Sequence, residues 1–243
     1  MSYKRFYRQL GMLLLLSSML LAGCATTHAD YADPRDPLES YNRFMYEVND
    51  TLDDAVVKPL AKGYKAIVPT PVDRGITNVF NNLVDLTSIL NNLLQFKFEH
   101  AASGLGRVMV NSTFGILGLI DVASVHDMPR YKEDFGQTLG RWGVAPGPYI
   151  VLPLLGPSGA RDAFGLLADW YIDPVRQINP ERERWGVAGL RGLDQRADLL
   201  SASKVMEEAA LDKYEFHRDA YLQKRRSDIY DGDPPFEDTE DME

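Results

Sequence analysis

Residues that could form a catalytic or metal-binding site are few and poorly spaced in this chain. Residues 156–160 (Gly-Pro-Ser-Gly-Ala) miss by one residue the G-x-S-x-G turn that presents a nucleophilic serine. The four histidines are scattered, form no H-E-x-x-H pair and have no cysteine partner, so zinc ligands are missing. Carboxylates at helical spacing, such as Asp50 and Asp54, are typical of a solvated helix face. The sequence predicts no enzyme, no metal site and no bound cofactor.

A cluster of asparagines is the most unusual chemical feature. Asn78, Asn81, Asn82, Asn91 and Asn92 lie within fifteen residues, interleaved with apolar side chains. Asn78 and Asn82 are four residues apart, which places them on one helix face. Burying an unsatisfied amide costs about 1–3 kcal/mol, so these side chains need partners or water. Two interpretations stay open: caps and interhelical hydrogen bonds, or the lining of a water-filled groove or channel able to pass a polar headgroup.

The single cysteine, Cys24, ends a short apolar segment near the N-terminus. That segment, residues 10–22, has 13 residues, too few to span a hydrocarbon core of ~30 Å but typical of a secretory signal. Residues 21–24 (Leu-Ala-Gly-Cys) resemble the bacterial lipobox, in which the cysteine is acylated before cleavage on its N-terminal side. We therefore predict a lipoprotein signal peptide over 1–23 and lipidation of Cys24. The alternatives are an ordinary signal peptide followed by an incidental cysteine, or a buried core cysteine.

The mature chain would begin with a lipidated linker, residues 24–35, and end with an acidic tail, residues 227–243. The residue after the cysteine is Ala25 rather than an Asp. In the sorting logic of Gram-negative lipoproteins, this difference favours export to the outer membrane. Removing 1–23 leaves 23 Lys and Arg against 35 Asp and Glu, a net charge of −12, which argues against binding nucleic acid. The composition of the tail predicts disorder and is typical of a solubilising segment.

The elements that position these residues are predicted to be helices. Asp36, Pro37 and Glu39 coincide as start signals, and residues 70–73 (Thr-Pro-Val-Asp) repeat them. Apolar residues then recur at steps of three and four. Helices are expected from 36 to about 56 with a stop at Pro59, then over 70–83, 85–96, 99–114, 181–201 and 203–226. Strict alternation is scarce, so the chain is predicted to be all-α.

A glycine- and proline-rich insert, residues 115–160, interrupts the helical pattern. Glycine loosens the backbone and proline is excluded from helix interiors, so loops and short helices are expected here. Two apolar runs, 116–120 and 149–155, flank a polar middle at 126–134. No apolar run in the mature chain approaches ~18 residues, so any deep membrane contact would need amphipathic helices lying within one leaflet.

Four segments together resemble the MlaA/VacJ lipoproteins. Residues 36–43 (Asp-Pro-Leu-Glu-Ser-Tyr-Asn-Arg) are similar to the opening motif of that family, and 107–123 carry its spaced Arg, Asn, Gly, Gly and Asp-Val-Ala signature. Residues 133–149, from Glu-Asp-Phe-Gly-Gln to Gly-Pro-Tyr, and 152–162 are similar to two further motifs. The resemblance extends from about residue 36 to 225 and leaves the acidic tail outside. We assign a helical domain to residues 36–226.

The resemblance implies a ring-like bundle of amphipathic helices lying in one membrane leaflet around an amphipathic channel, with a flexible hairpin that gates it. On this basis the Gly/Pro-rich insert is the expected hairpin, with Gly140 and Gly143 as candidate hinges. The five asparagines are candidate channel lining. Arg184, beside Trp185, is a candidate headgroup contact, although such an arginine is more often a surface residue.

The same resemblance implies a function. Family members sit at the periplasmic face of the outer membrane, remove phospholipid mislocalised to the outer leaflet and pass it to a soluble periplasmic carrier for retrograde transport. They work in association with trimeric porins. The implied partners are therefore phospholipid, a trimeric porin and a periplasmic lipid carrier. The alternative is a structural lipoprotein that scaffolds porins without carrying lipid.

Overall fold

The computed structural model describes residues 33–235, without the side chains of residues 205 and 207–209. The predicted signal peptide, Cys24, most of the linker and the last eight residues of the acidic tail lie outside the described residues. Ten α-helices, two strands, a π-helical turn and a 3₁₀ turn make up this part of the chain.

The elements follow one another with short connections. In chain order they are α1 (Glu39–Leu52), a π-helical turn (Asp53–Val57), α2 (Lys58–Ile67), α3 (Thr70–Leu94), α4 (Phe98–Thr113), α5 (Val122–Val125), α6 (Phe135–Arg141), β1 (Tyr149–Leu152), β2 (Gly156–Gly159), α7 (Ala160–Ile172), a 3₁₀ turn (Pro174–Gln177), α8 (Glu181–Asp198), α9 (Leu200–Ala209) and α10 (Lys213–Ile229).

The first helix does not stop at Pro59 as the sequence predicted. Instead α1 passes through the π-helical turn into α2, and Pro59 occupies the first turn of α2. The backbone N–H of Lys58 donates to the carbonyl of Asp53, five residues back. The helical hydrogen bonds therefore already span five residues instead of four just before Pro59, which has no N–H to donate. Arg196 of α8 binds both carboxylate oxygens of Asp53, at 2.7 and 2.6 Å, and holds this turn against the C-terminal half.

The two helices predicted over 70–83 and 85–96 are one continuous helix, α3. It begins with the predicted Thr-Pro-Val-Asp signal, and α4 returns alongside it after a three-residue connection. A methyl group on Gly104 of α4 would lie 2.9 Å from the Ile89 side chain of α3, so glycine permits the close approach of these helices. Helix α3 carries the whole asparagine cluster.

The insert contains the expected loops and short helices, α5 and α6, together with a small sheet that the sequence did not predict. Strands β1 and β2 pair antiparallel with Tyr149 opposite Gly159 and Leu152 opposite Gly156. The turn between them requires left-handed backbone at Leu154 and Gly156, where φ is 65° and 80°. The helical fold class is confirmed, and this hairpin is its local exception.

The C-terminal helices differ from the prediction in their breaks. Helix α8 ends at Asp198, and the single helix predicted over 203–226 is divided into α9, which ends at Ala209, and α10. Asp212 caps α10, accepting hydrogen bonds from the N–H groups of Tyr214 and Glu215. Helix α7 falls in a region where no helix was assigned from sequence. Helix α10 continues to Ile229, beyond the predicted domain end at 226.

Candidate functional site

The described part of the molecule buries more polar than apolar side chains and exposes many large apolar ones. We call the exposed set the apolar belt. Its most exposed members include Ile67, Phe96, Phe98, Phe114, Leu117, Leu154, Phe164 and Tyr171. Extensive exposed apolar surface is typical of proteins that contact a membrane or another protein. No helix within residues 33–235 is long and apolar enough to cross a membrane.

Two of the five predicted asparagines, Asn91 and Asn92, are the most deeply buried in the polar interior. Asn91 donates to Asp169 of α7 at 3.2 Å and accepts from the hydroxyl of Thr138 of α6 at 2.9 Å. Asn92 donates to the carbonyl of Ser88 at 2.9 Å. Both are at most 1 % exposed. Asn91 makes the interhelical hydrogen bonds of the structural interpretation, whereas the Asn92 bond lies within α3 and its side-chain oxygen has no partner among the described residues. Neither amide faces open space in this arrangement.

The remaining asparagines of α3 lie nearer the surface. Asn82 is 8 % exposed and donates to Ser112 of α4 at 3.1 Å, while its carbonyl oxygen has no hydrogen-bond partner among the described residues. Asn78 donates to the carbonyl of Leu119 at 3.1 Å. Asn81 is half-buried. A channel role therefore stays a prediction, and it is more compatible with these three residues than with Asn91 and Asn92.

Two asparagines that the sequence analysis passed over hold the β-hairpin. Asn42 is fully buried; its amide donates to the carbonyl of Tyr149 at 3.0 Å and its oxygen accepts from the N–H of Val151 at 2.8 Å. Asn49, two turns further along α1, bonds the backbone of Leu152 and Leu154 in the same way. The open edge of β1 is thus paired with side-chain amides in place of a third strand.

The candidate hinge glycines lie at the C-terminal end of α6 and just beyond it. Gly140 is packed: a methyl group there would lie 2.9 Å from Nη1 of Arg161 and 3.0 Å from Ile229. Gly143 has φ of 87° and no neighbour within 4 Å of where a methyl group would stand. The backbone freedom that a hinge needs is therefore present at Gly143, whereas Gly140 serves close packing. Movement at either residue stays a prediction.

Helix α10 fastens the insert through Arg225. Its guanidinium binds the carboxylate of Asp134, the cap of α6, at 2.5 and 2.6 Å, and reaches Asp162 of α7 at 3.0 Å. Burial alone would raise the pKa of Asp134, but hydrogen bonding and charge from Arg225 outweigh it and lower that pKa. Tyr221 of α10 adds a hydrogen bond to Asp162 at 2.7 Å.

A second ionic network explains the spacing of the motif over 107–123. Buried Arg107 binds both carboxylate oxygens of Asp121, and Asn111, one turn along α4, donates to the same carboxylate at 2.9 Å. Asn111 also accepts from the N–H of Ala123 at 2.8 Å. The motif therefore fixes the first loop of the insert to α4.

Arg184 lies in a cavity of about 250 Å³ rimmed by Trp170 and Trp185. It pairs with Glu181 at 3.1 Å, and the guanidinium of Arg176 stacks over Trp170 with 3.5 Å to the ring centroid. Both tryptophans are more than half exposed. Tryptophan beside arginine is typical of the boundary between headgroups and acyl chains.

Comparison with known proteins places the chain in a family. The family model of the MlaA lipoprotein matches residues 34–228. This chain belongs to the MlaA lipoprotein family. The resemblance of the four motifs to this family is thereby confirmed. The matched residues include the Arg225 and Arg107 networks and the β1–β2 hairpin.

Two relatives align with this chain over most of their length. A Haemophilus influenzae protein is 33% identical over 228 residues, covering 90% of this chain and 89% of its own, and an Escherichia coli K12 protein is 34% identical over 215 residues, covering 87% and 85%. Each is named an intermembrane phospholipid transport system lipoprotein, MlaA. A solved structure that concerns the structural basis for maintenance of bacterial outer membrane lipid asymmetry superposes with a TM-score of 0.70 at 31% identity, covering 80% of this chain and 98% of that one.

The MlaA family is one of phospholipid-transport lipoproteins rather than of enzymes. Among residues 33–235, no three His, Cys, Asp or Glu side chains form a group that could hold a metal ion. The described residues offer exposed apolar side chains, a hydrogen-bonded interior, and arginine networks that hold the insert in place.

Proposed function

We propose that this protein extracts phospholipid mislocalised to the outer leaflet of the outer membrane and returns it toward the cell interior, so that the lipid asymmetry of that membrane is maintained. The observation that carries the proposal is the inverted distribution of side chains, with the apolar belt outside and charged and amide groups inside. An apolar environment around the domain would cover the exposed side chains of the apolar belt. A polar lipid headgroup needs charged and amide groups as hydrogen-bond partners. The relatives' shared name agrees with this function.

The proposed location is the periplasmic face of the outer membrane, with acylated Cys24 as an anchor. The lipobox-like order Leu-Ala-Gly-Cys and the following Ala25 support this location. The apolar belt would add a second hold within the inner leaflet, because each fully buried large apolar side chain contributes about 1.5–3 kcal/mol. The lipid anchor would then direct the protein to the outer membrane, and the apolar belt would hold the domain in the inner leaflet.

The proposed path for the headgroup runs beside α3, with Asn78, Asn81 and Asn82 as lining. Asn82 contributes a carbonyl oxygen without a partner among the described residues, next to Gly118 of the insert. Opening of the insert at Gly143 would gate this path, and Arg184 would meet a phosphate at the membrane boundary. The partners proposed from the family resemblance are a trimeric porin and a soluble periplasmic carrier.

Purification of the full chain from its own outer membrane tests the proposal. We expect phospholipid to co-purify at a stoichiometric level, together with a trimeric porin. Porin without phospholipid would instead favour the scaffold function. Released fatty acid in a purified sample would indicate a hydrolase.

Substitutions in the proposed path separate channel from scaffold. Asn81→Leu and Asn82→Leu should reduce lipid transport while porin association is retained, because leucine removes the polar surface that a headgroup needs. Thr51→Leu, which adds a leucine at an exposed position of α1, is the matched control. Normal transport in both asparagine variants would contradict the proposed lining.

A further inference from the structure

A buried carboxylate without a direct counter-ion lies where α2, α3 and α8 meet. Asp194 of α8 is 2% exposed. Its Oδ1 accepts hydrogen bonds from the hydroxyl of Tyr64 of α2 at 3.2 Å and from the hydroxyl of Thr77 of α3 at 3.0 Å. Among the described residues no lysine, arginine or histidine forms an ion pair with it. Burying an unpaired charge is so costly that such a group usually becomes neutral instead.

The charges closest to Asp194 are mostly negative. Asp73 of α3 and Asp198, one turn further along α8, act on it, and both are bound at 2.7 Å by the ammonium of Lys65 of α2. Burial and the charges of Asp198 and Asp73 raise the pKa of Asp194, against the hydrogen bonds that it accepts. Three carboxylates thus lie near one ammonium, and a proton on one of them would reduce their repulsion.

The other charged groups that join α8 to its neighbours are paired elsewhere. Arg191 of α8 binds Asp173 at the start of the 3₁₀ turn at 2.6 Å. Arg196 of α8 binds Asp53 of the π-helical turn and donates to Ser203 of α9 at 3.2 Å. Neither guanidinium forms an ion pair with the buried carboxylate, which therefore depends on the two hydroxyl groups for its hydrogen bonds.

Asp73 provides an independent sign that one hydrogen is missing from this cluster. The residue is 7% exposed; its Oδ2 accepts from Lys65, and its buried Oδ1 has no partner among the described residues. The Tyr64 hydroxyl lies near both carboxylates, because burial raises its pKa and hydrogen bonding and charge from Asp194 and Asp73 raise it further. A hydroxyl carries one hydrogen, so it satisfies one carboxylate at a time.

A proton on Asp194 would complete the arrangement. The O–H of the acid would donate to the Tyr64 oxygen, and the Tyr64 hydroxyl would then donate to Oδ1 of Asp73. The same proton removes the unpaired charge of one carboxylate and the unpaired oxygen of the other. A buried water molecule would satisfy that oxygen alone, and it would leave three negative charges beside one ammonium.

We propose that Asp194 is a protonated carboxylic acid, joined through Tyr64 to Asp73, that acts as a pH-sensitive latch holding α8 against α2 and α3. The folded chain then binds this proton more tightly than the unfolded chain. The latch contributes stability below the ordinary aspartate value near ~3.9, and the contribution is lost as pH rises through the higher value of the folded chain. Thr77 precedes Asn78 of the proposed headgroup path, so an effect of the latch on transport rests on the proposed function, whereas the latch itself does not.

Infrared spectroscopy of the purified full chain in detergent tests where the proton lies. A protonated carboxylic acid has a carbonyl stretch that carboxylates and amides lack. We expect this band at pH 5 in the difference between the native chain and Asp194→Asn, and its loss as pH is raised to 9. Asp127→Asn, the same change at an exposed loop position, should keep the band. Tyr64→Phe should shift its frequency, because the acid loses its hydrogen-bond acceptor. Absence of the band from the difference spectrum at pH 5 would overturn the proposal.

Hydrogen–deuterium exchange, corrected for the intrinsic effect of pH, tests the latch. We expect protection of residues 190–198 to fall at least fivefold between pH 5 and pH 9 in the native chain and in Asp127→Asn. In Asp194→Asn it should stay constant, because the amide keeps a donor and cannot ionise. Protection that is lower in Asp194→Asn than in the native chain at every pH would show that an ionised carboxylate holds the helices, and would overturn the proposal. Neither failure would alter co-purification of phospholipid, so each is distinguishable from failure of the transport function.

Discussion

Asn42 illustrates how single amides determine this fold. Its side chain satisfies a carbonyl and an N–H of strand β1 and also donates to Asp36 at 2.7 Å. Asp36 in turn accepts a short hydrogen bond from Tyr214 of α10. One buried amide therefore joins the start of the domain, the hairpin and the last helix.

Replacement of this amide should be costly. Asn42→Ala leaves two buried backbone groups without a partner and removes one of the hydrogen bonds to the Asp36 carboxylate, so we expect the free energy of unfolding to fall by about 2–4 kcal/mol. Urea denaturation in detergent micelles, followed by circular dichroism, measures this.

Asn49→Ala serves as the comparison. That side chain makes similar bonds at a less buried position, so its loss should be smaller, about 1 kcal/mol. Equal effects of the two variants would contradict the argument from burial.

Sequence reasoning found some residues of this interior and missed others for a physical reason. The cluster over 78–92 stood out because its amides are close together in sequence and among apolar residues. Asn42 stands alone in sequence within the opening motif, and its partners Tyr149 and Val151 lie more than a hundred residues away. The need of an amide for a partner can be predicted locally, whereas the partner itself depends on the tertiary fold.

At the scale of elements, α10 acts as a clamp on the insert. Arg225 ties α10 to the cap of α6 and to α7, and its side chain is only 14% exposed. Removing one partner of a buried ion pair costs about 3–5 kcal/mol because the other charges stay behind.

The Asp134 side chain is 39% exposed and Asp162 keeps Arg161 as a partner, so the cost here should be smaller. Arg225→Ala should lower the free energy of unfolding by about 2 kcal/mol and loosen the insert. Hydrogen–deuterium exchange should accelerate over residues 134–141 and 158–165. Lys224→Ala, the neighbouring variant whose ion pair is mostly exposed, should cost at most about 1 kcal/mol. Unchanged exchange in the Arg225 variant would show that α10 does not hold the insert.

The same clamp predicts a pH dependence. The pKa of Asp134 is lowered in the folded state, so its contribution to stability is present above its ordinary value near ~3.9 and is lost as pH falls through the lowered value. In the Asp134→Asn variant, this loss of stability at low pH should be absent. We expect the difference in unfolding free energy between the native chain and the variant to shrink as pH is lowered from 6 toward 3. A difference independent of pH would contradict the ionic character of the clamp.

The elements themselves were largely predictable, and their breaks were not. Start signals correctly placed the beginnings of α1 and α3 within a few residues. The stop assigned to Pro59 was wrong because a π-helical turn accommodates the proline, and the two-stranded sheet was missed because its edge is completed by side chains of α1. Such compensation is visible only when distant elements are in place.

At the scale of the whole molecule, the apolar belt accounts for the proposed residence in a leaflet. The non-acylated mature variant Cys24→Ala should still float with vesicles of phosphatidylglycerol and phosphatidylethanolamine, because the belt supplies its own partition energy.

Glutamate in the belt should then release the domain. In the Cys24→Ala background, Phe114→Glu and Phe164→Glu should each reduce the vesicle-bound fraction at least tenfold, since these side chains are 75% and 71% exposed. Gln177→Glu, an exposed site with the same added charge, is the control. Equal flotation of all variants would mean that the belt does not contact lipid.

The all-α class and the family resemblance followed from sequence, but the inverted interior did not. Periodicity shows that a helix has an apolar face, and it does not show whether that face points inward or outward. In this fold many of those faces point outward, and the amides and ionic networks take the place of an apolar core.

The outer-leaflet phospholipid content of intact cells tests the central claim most directly. Cells that lack the gene should accumulate phospholipid in the outer leaflet and become sensitive to detergent with chelator, and the native gene should restore both. Complementation with Asn82→Leu should restore less than complementation with Thr51→Leu. Outer-leaflet phospholipid that stays unchanged when the gene is deleted would contradict transport as the function of this protein.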